Sequence, residues 1–293
     1  MSSSRFLHRL NSGLTLVADG ATGTNLQERG LERGQPSDKW VLDNPQQILQ
    51  LHRDFVAAGA DIILTASFGG TTICLKRIGL AARAAELNRR AVELAKQAAD
   101  GTEVLVAGSM GPTGQLLKPL GPLDENEATA AFAEQARVLS EAGVDLLVVE
   151  TQFDLGEASA AVKGARSVSS LPLVVSFSYD RGTRTMNGVK PAQMCTAMEA
   201  LGVDVLGINC GRSLEDNLKA LKELRQVSSL PIWFKPNAGL PRLDDEEKPV
   251  YDVTPEMMAA QVPEWLAAGA RIVGGCCGTS PDHLRQIAQA LKA

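Results

Sequence analysis

The stretch EAGVDLLVVE, residues 141–150, carries the pattern that decides the fold. It reads as the end of a helix, then a glycine, then an apolar run with several β-branched residues. Glycine is favoured just after a helix because it adopts the left-handed conformation freely. The run that follows is almost continuously apolar, as expected for a parallel strand buried on both faces. Three more stretches repeat the pattern: AAGADIILTA (57–66), ALGVDVLGIN (200–209) and AAGARIVGGC (267–276).

Apolar runs of this kind recur along the chain and predict eight strands separated by amphipathic helices. The strands are expected near residues 14–19, 61–66, 104–109, 145–150, 172–178, 204–209, 231–236 and 271–275. The helices are expected near residues 46–58, 83–99, 125–142, 156–168, 191–201, 214–227, 255–268 and 281–291. Such alternation favours a parallel sheet, and eight units in 293 residues match a closed (β/α)₈ TIM barrel of the α/β class.

An open, doubly wound sheet is the alternative to the barrel. It usually has fewer strands and a glycine-rich phosphate loop after the first strand. Here the first strand is followed by DGATGTNLQ, which contains neither G-x-G-x-x-G nor a Walker motif. The chain also lacks a linker or low-complexity segment, so we expect a single domain over residues 1–293.

Composition and charge narrow the class of protein. The net charge is −5 and the basic residues are scattered, which argues against nucleic-acid binding. No apolar run approaches the roughly 20 residues of a membrane span, and the N-terminal MSSSRFLHRL lacks the apolar core of a signal peptide. We therefore expect a cytoplasmic protein without a membrane partner. The five cysteines are odd in number and mostly far apart in the sequence, which argues against a disulfide framework. In a reducing compartment, cysteines that cluster indicate a metal site or catalysis.

The chemistry of such a barrel lies at the carboxyl ends of its strands. The predicted strand ends carry Asp19, Ser67, Ser109, Glu150, Ser178, Cys210, Asn237 and the pair Cys276–Cys277. Three cysteines thus converge on one rim. Cys74 and Cys195 fall in or near helices and are interpreted as buried packing residues. His8, His52 and His283 are expected to lie on the surface or to have satisfied contacts in the core rather than to be ligands.

Three converging thiolates fit a zinc site, since Zn²⁺ binds cysteine sulfur in a tetrahedron. Structural zinc sites have four protein ligands, whereas catalytic sites keep one position open. Because no fourth cysteine or histidine is evident, we expect an open site that could take a substrate thiol. A thiolate activated in this way suits attack on a carbon electrophile such as a methyl group. The pattern favours hydrolysis less, because no histidine or carboxylate lies beside the cysteines to act as a general base.

Other strand-end residues are candidates for a substrate pocket. Glu150 could pair with a substrate ammonium or accept a hydrogen bond from a neighbouring loop. Asp19 could orient substrate or cap the next turn. Backbone N–H groups of the turn that contains Gly20, Ala21 and Thr22 could hold a substrate carboxylate.

Two asparagines complete the predicted pocket. The side-chain oxygen of Asn237 could fill the open zinc position until a thiol displaces it, or Asn237 could be an ordinary turn residue. Asn209 directly precedes Cys210 and is placed in the same pocket.

The motifs DGATGT, LTASFGG, GSMGPTG, VVETQFDLGEA, GINCG, KPNAG and GGCCGTSPDH together resemble the homocysteine S-methyltransferase family. They follow in order over essentially the whole chain. The resemblance implies a homocysteine-binding barrel, residues 1–293, that depends on zinc and methylates homocysteine to methionine. It also implies that Cys210, Cys276 and Cys277 are the zinc ligands, with Asp19, the turn after it and Glu150 in the homocysteine pocket.

Within the family, GPTGQLLKPLG and ETQFDLGEA are most similar to the homocysteine module of cobalamin-dependent methionine synthases. Betaine-type members carry a tyrosine shortly after the phenylalanine of strand 2, where this chain has Gly69 and Gly70 after Phe68. Members that use S-methylmethionine usually read GPYGA, where this chain reads GPTGQ. Both differences weaken the resemblance to enzymes that use a small methyl donor.

The identity of the methyl donor is a separate expectation. The sequence ends at Ala293 without a folate barrel or a cobalamin module, so we expect methylcobalamin carried by a separate corrinoid protein. The alternatives are a small onium donor, such as S-methylmethionine or betaine, and a non-catalytic zinc-binding barrel. The resemblance implies homocysteine as the acceptor, and another small thiol would fit the zinc argument equally. The acidic loop at 240–255 could contact a partner or cover the site, or simply be solvated.

Overall fold

The strands form the predicted barrel. The computed structural model describes residues 4–240, 242–243 and 249–292, and within them eight parallel strands form one sheet. They are β1 (Leu16–Val17), β2 (Ile62–Leu64), β3 (Leu105–Met110), β4 (Leu146–Gln152), β5 (Leu173–Phe177), β6 (Val205–Cys210), β7 (Ile232–Pro236) and β8 (Ala270–Val273). From β2 to β8 each strand pairs with the next in the chain, and β8 pairs with β1. A parallel bridge between Ala18 and Ile62 joins β1 to β2, so the sheet closes into a (β/α)₈ TIM barrel.

The helices of the outer ring also lie where the sequence predicts them. They are Pro45–Ala58, Ala84–Ala99, Glu125–Ala142, Leu155–Val168, Pro191–Ala200, Leu214–Val227, Pro255–Ala259 with Val262–Ala267, and Pro281–Ala290. Gly59 and Gly143 end two of them with φ of 100° and 90°, as the repeated pattern predicts. The helix expected at 255–268 is interrupted after Ala259, because Pro263 has no N–H to donate to the preceding turn.

Several short elements have no counterpart in the prediction. Helices cover Arg5–Asn11, Thr22–Glu28, Trp40–Asp43 and Thr72–Lys76, and Arg242–Leu243 pairs with Pro249–Val250 in an antiparallel ribbon. They are too short to show a clear hydrophobic period. Among the described residues, no helix has both the length and the apolar character that a membrane crossing needs.

The core has two layers, one inside the barrel and one between the strands and the helices. The inner layer consists of side chains such as Leu105, Val148 and Trp233, with Phe6 and Leu10 of the N-terminal helix added to it. Arg9 of that helix pairs with Asp61, directly before β2, and Arg5 pairs with Glu103, two residues before β3. The helix therefore covers the amino ends of the strands, and the carboxyl ends are left for the functional site.

Candidate active site

A cavity of about 630 Å³ opens at the carboxyl ends of the strands. Its volume is typical of a small-molecule site. Its wall contains the predicted residues Asp19, Gly20, Ala21, Thr22, Glu150, Cys210, Cys276 and Cys277. Asn209 and Asn237, which the sequence also placed in the pocket, do not line the cavity but lie behind the cysteines.

The three cysteines bring their sulfur atoms together on one side of this cavity. The Sγ atom of Cys210 lies 3.2 Å from that of Cys276 and 3.8 Å from that of Cys277. In a tetrahedral zinc site with Zn–S bonds of 2.3 Å, the sulfurs would be about 3.8 Å apart. Among the described residues, these cysteines form the cluster of potential metal-ligating groups. Their spacing and soft sulfur chemistry fit a zinc ion.

The backbone at Cys210 is unusual. Its φ is 60°, in the left-handed region that a residue with a side chain rarely adopts. Asn217 stabilises this conformation, since its Nδ2 donates to the Cys210 carbonyl oxygen at 2.6 Å. Such uncommon backbone conformations cluster at functional sites. The turn at the end of β6 directs the Cys210 sulfur toward the adjacent pair.

The loop that carries Cys276 and Cys277 is fixed by its neighbours. Cys276 N–H donates to the Pro236 carbonyl oxygen at 2.9 Å, and the Cys277 carbonyl oxygen accepts from Ala238 N–H at 2.9 Å. Asn237 joins both cysteine loops, because its Oδ1 accepts from Cys277 N–H at 2.9 Å and its Nδ2 donates to Gly211 O at 2.8 Å. Asn237 thus holds the two cysteine loops together, and the coordination suggested for its oxygen stays a prediction.

Three charged residues, Asp19, Glu150 and Lys235, form what we call the charged floor of the cavity. Lys235 Nζ donates to Asp19 Oδ1 at 2.6 Å, and both side chains are almost completely buried. The second oxygen of Asp19 accepts from Leu64 N–H at 2.7 Å. Glu150 Oε1 accepts from Ser109 Oγ at 2.5 Å. The floor therefore contains two acidic groups and one basic group.

Burial and charge set the protonation of this floor. Burial raises the pKa of Glu150 to about 7, although the Lys235 ammonium acts in the opposite direction. Burial by itself would lower the pKa of Lys235, but the Asp19 and Glu150 carboxylates outweigh it and raise that pKa above the usual lysine value. Lys235 is therefore charged at neutral pH, and Glu150 is poised between its two protonation states.

The turn after β1 approaches the cysteine loop closely. A Cβ atom at Gly20 would lie 2.8 Å from the Thr279 carbonyl oxygen and 2.9 Å from side chains of Leu284 and Phe55. Only glycine fits there without a shift of its surroundings. Ala21 N–H donates to the same Thr279 oxygen at 3.1 Å. The turn thus forms one wall of the cavity and is tied to the segment after Cys277.

Sequence reasoning missed Lys235 and Tyr251, which both line the cavity. Lys235 is the one charged residue in the apolar run IWFKP of β7, and a charge in a strand predicted to be buried was the available signal. Tyr251 has no such signal, because its place depends on packing. A Cβ at Gly278 would lie 2.2 Å from the Tyr251 ring, so the ring rests directly on the turn after the cysteine pair.

The residues expected to be outside the site lie outside it. Cys74 and Cys195 are buried and contact backbone carbonyl oxygens. His283 Nε2 donates to Val253 O at 2.9 Å in a structural contact. Of the acidic loop at 240–255, residues 241 and 244–248 lie outside the described part of the chain, so its suggested role stays a prediction.

Comparison with known proteins agrees with this geometry. Residues 16–291 match the family model described as homocysteine S-methyltransferase. The chain is 32% identical to the methionine synthase of Mycobacterium leprae (strain TN) over 94% of its own length and 24% of that protein, so it spans about a quarter of that relative.

Solved structures match over the whole chain. The metallated form of the homocysteine methyltransferase MmuM from Escherichia coli superposes with a TM-score of 0.82 at 29% identity, covering 97% of this chain and 98% of that one. The 3-dehydroquinate dehydratase of Geobacillus kaustophilus has a TM-score of 0.53 at 16% identity, covering 95% and 91% of the two chains, and shares the fold alone.

Proposed function

Because the chain belongs to the homocysteine S-methyltransferase family, whose members are methyltransferases, we propose that it methylates the thiol of homocysteine and forms methionine. The observation that carries this proposal is the placement of three sulfurs on the wall of a cavity with a charged floor. The full-length likeness to a homocysteine methyltransferase and the identity with a methionine synthase support it.

In this proposal Cys210, Cys276 and Cys277 hold a zinc ion. Three protein ligands are one fewer than a closed structural zinc site has, which suits a site that binds its substrate. When bound, zinc would lower the pKa of an added thiol, so that the thiol is ionised near neutral pH. The spacing of the sulfurs supports this assignment.

The other residues of the cavity bind and orient the acceptor. Lys235 already pairs with Asp19, so Glu150 is the carboxylate left to pair with the acceptor's ammonium. The turn Gly20–Thr22 lines the same cavity and is assigned to the carboxylate end of the acceptor. The acceptor sulfur forms its new bond to the methyl carbon while the bond between that carbon and the donor breaks. The electron pair of the broken bond stays with the donor, and the thiol proton passes to solvent.

The donor that we favour is a methyl-corrinoid carried by a separate protein. The motifs GPTGQLLKPLG and ETQFDLGEA and the identity with a methionine synthase support it. A small onium donor such as S-methylmethionine or betaine is the second candidate. It is a candidate because this single barrel matches 98% of the solved chain of MmuM, a homocysteine methyltransferase.

A turnover panel tests both the reaction and the donor. The zinc-loaded protein receives homocysteine with methylcobalamin, S-methylmethionine, betaine or methylfolate, and methionine is measured. We expect methionine from methylcobalamin and none from the Cys276→Ala variant. Cys74→Ala, which changes a buried cysteine outside the cluster, is the matched control and should retain turnover.

The remaining outcomes separate the alternatives. If methionine forms with S-methylmethionine or betaine but not with methylcobalamin, the donor is a small onium compound and the corrinoid assignment is wrong. Zinc binding without methionine from any donor would identify a non-catalytic zinc-binding barrel. Full turnover by Cys276→Ala would contradict the assignment of the cysteines.

A further inference from the structure

Asn209 is fully buried in β6, directly before Cys210, and its side chain does not reach the cavity. Its amide nevertheless uses all of its hydrogen-bonding positions. Oδ1 accepts from Thr151 N–H at 2.9 Å and from Ser176 Oγ at 2.6 Å. Nδ2 donates to Thr151 Oγ1 at 2.7 Å and lies 3.8 Å from Cys276 Sγ.

These contacts determine which way the amide faces. The backbone N–H of Thr151 can only donate, so the atom of Asn209 that meets it must be the oxygen. The nitrogen is therefore the atom that faces the Cys276 sulfur, with an N–H available for it. A sulfur that is ionised as a metal ligand accepts such a hydrogen bond well, because charged acceptors form the stronger bonds.

The other partner of Asn209 is itself in an uncommon conformation. Thr151 has φ of 59°, which is an outlier for a β-branched residue. Asn209 holds it through two hydrogen bonds, one to the backbone and one to the hydroxyl group. Thr151 follows Glu150, and both line the cavity. Asn209 thus connects the end of β4, which carries Glu150 of the charged floor, with the sulfur of Cys276.

We propose that Asn209 is a positioning residue for the metal centre, which orients the Cys276 sulfur and stabilises its ionised form by donating an N–H to it. The inference rests on the proposed function only in so far as the cysteines bind zinc. Groups that hydrogen-bond to metal ligands orient them, and their loss typically weakens metal binding by about 10- to 100-fold. The competing explanation is that Asn209 only supports the backbone at Thr151.

The test measures zinc affinity rather than turnover. Asn209→Asp keeps the side-chain volume but places an oxygen where the amide nitrogen faces the sulfur. Ser176→Ala is the matched control, because it removes a contact on the opposite side of the same amide and leaves the N–H in place. Dissociation constants come from competition with a chromogenic chelator. We expect Asn209→Asp to bind zinc at least tenfold more weakly, and Ser176→Ala to stay within about threefold of the wild type.

A second variant separates the two explanations. Thr151→Gly accepts the left-handed backbone without strain and removes the hydroxyl group, while Asn209 remains. We expect it to bind zinc within about threefold of the wild type, since the contact to the sulfur is retained. Cobalt-loaded proteins give an independent readout, because sulfur-to-cobalt absorption bands report the thiolates. These bands should change in Asn209→Asp and not in Thr151→Gly.

The outcomes are distinct from those of the proposed function. A wild-type protein that does not retain zinc would overturn the proposed metal centre and this inference with it. A wild-type protein that binds zinc tightly, together with a folded Asn209→Asp of equal affinity and unchanged cobalt bands, would overturn this inference alone. If Asn209→Asp does not fold, Asn209→Ser is measured in the same way, with the same expected loss.

Discussion

At the scale of single residues, the ion pair between Lys235 and Asp19 sets the charge of the cavity. Both side chains are almost fully buried, and the pair joins two residues that are 216 positions apart in the sequence. A buried pair adds little net stability compared with apolar residues, but the loss of one partner leaves an uncompensated charge in the interior. The pair therefore behaves as a unit.

Lys235→Met should destabilise the protein by about 3–5 kcal/mol, because the Asp19 carboxylate then remains buried without its cation. The free energy of unfolding, measured by denaturant titration at neutral pH, checks this value. Asp19→Asn should lower the free energy of unfolding by a similar amount, because the Lys235 ammonium then remains buried without this carboxylate.

The double variant Asp19→Asn/Lys235→Met is the control for this prediction. It removes both charges together and should cost clearly less than the sum of the single variants. Strict additivity of the two changes would contradict the interpretation of Lys235 and Asp19 as a coupled pair.

At this scale, the sequence predicts some site residues better than others. The three cysteines could be found because parallel strands of a barrel place their carboxyl ends on one rim, whatever their distance in the chain. The partners of Lys235 and Asn209 could not, because these contacts depend on side-chain rotamers and on the left-handed backbone at Thr151. Topology is thus visible in the pattern, whereas individual hydrogen bonds are not.

At the scale of elements, the helix Pro45–Ala58 contains a histidine without a hydrogen-bond partner. His52 is 1% exposed, and neither of its ring nitrogens has a partner among the residues that the structure describes. Burial lowers the pKa of His52 from 6.5 to about 4. His52 was expected to lie on the surface or to have hydrogen-bond partners in the core. This expectation is wrong, because the side chain lies in the core and the described residues offer it no hydrogen-bond partner.

This histidine should make the protein less stable in mild acid. Below pH 6.5 the unfolded chain gains a proton at His52 that the folded chain does not bind until pH falls to about 4. The folded protein is therefore not penalised by His52 above pH 6.5. As the pH falls from 6.5 to about 4, the free energy of unfolding decreases progressively, because the unfolded chain binds the proton first. Between pH 7 and pH 5 the contribution of His52 should amount to about 2 kcal/mol.

Denaturant titrations of His52→Leu at both pH values check this expectation. Between pH 7 and pH 5, the free energy of unfolding of the variant should fall by about 2 kcal/mol less than that of the wild type. His8→Gln, which changes an exposed histidine, is the matched control. An unchanged pH dependence in His52→Leu would show that His52 does not titrate in this window.

The regular helices were predictable because each combines a long amphipathic stretch with a defined end. Gly143 ends Glu125–Ala142, for example, and Asp124 caps its start with a hydrogen bond to Asn126 N–H at 2.9 Å. The N-terminal helix Arg5–Asn11 has only seven residues. A helix of that length is not stable by itself and forms through its packing, which a local pattern does not indicate.

At the scale of the whole molecule, the barrel is closed at one end and open at the other. Phe6 of the N-terminal helix is 0% exposed and joins the inner layer of the core, which includes Leu16, Leu105 and Trp233. Because the helix pairs with residues that precede β2 and β3, it lies at the end of the barrel opposite the cavity. The apolar cap that the helix forms and the cavity thus lie at opposite ends of the same barrel.

Phe6→Ala should therefore reduce stability without changing the proposed zinc site. Removing a fully buried phenylalanine leaves a cavity at the closed end and should cost about 3–5 kcal/mol in the free energy of unfolding. Leu14→Ala, at a position that is 52% exposed, is the control and should change it by less than about 0.5 kcal/mol. Below its unfolding temperature, Phe6→Ala should bind zinc with wild-type affinity, since its contacts lie at the amino ends of the strands. A loss of zinc affinity in the folded variant, or a cost below about 1 kcal/mol, would contradict this separation of the two ends.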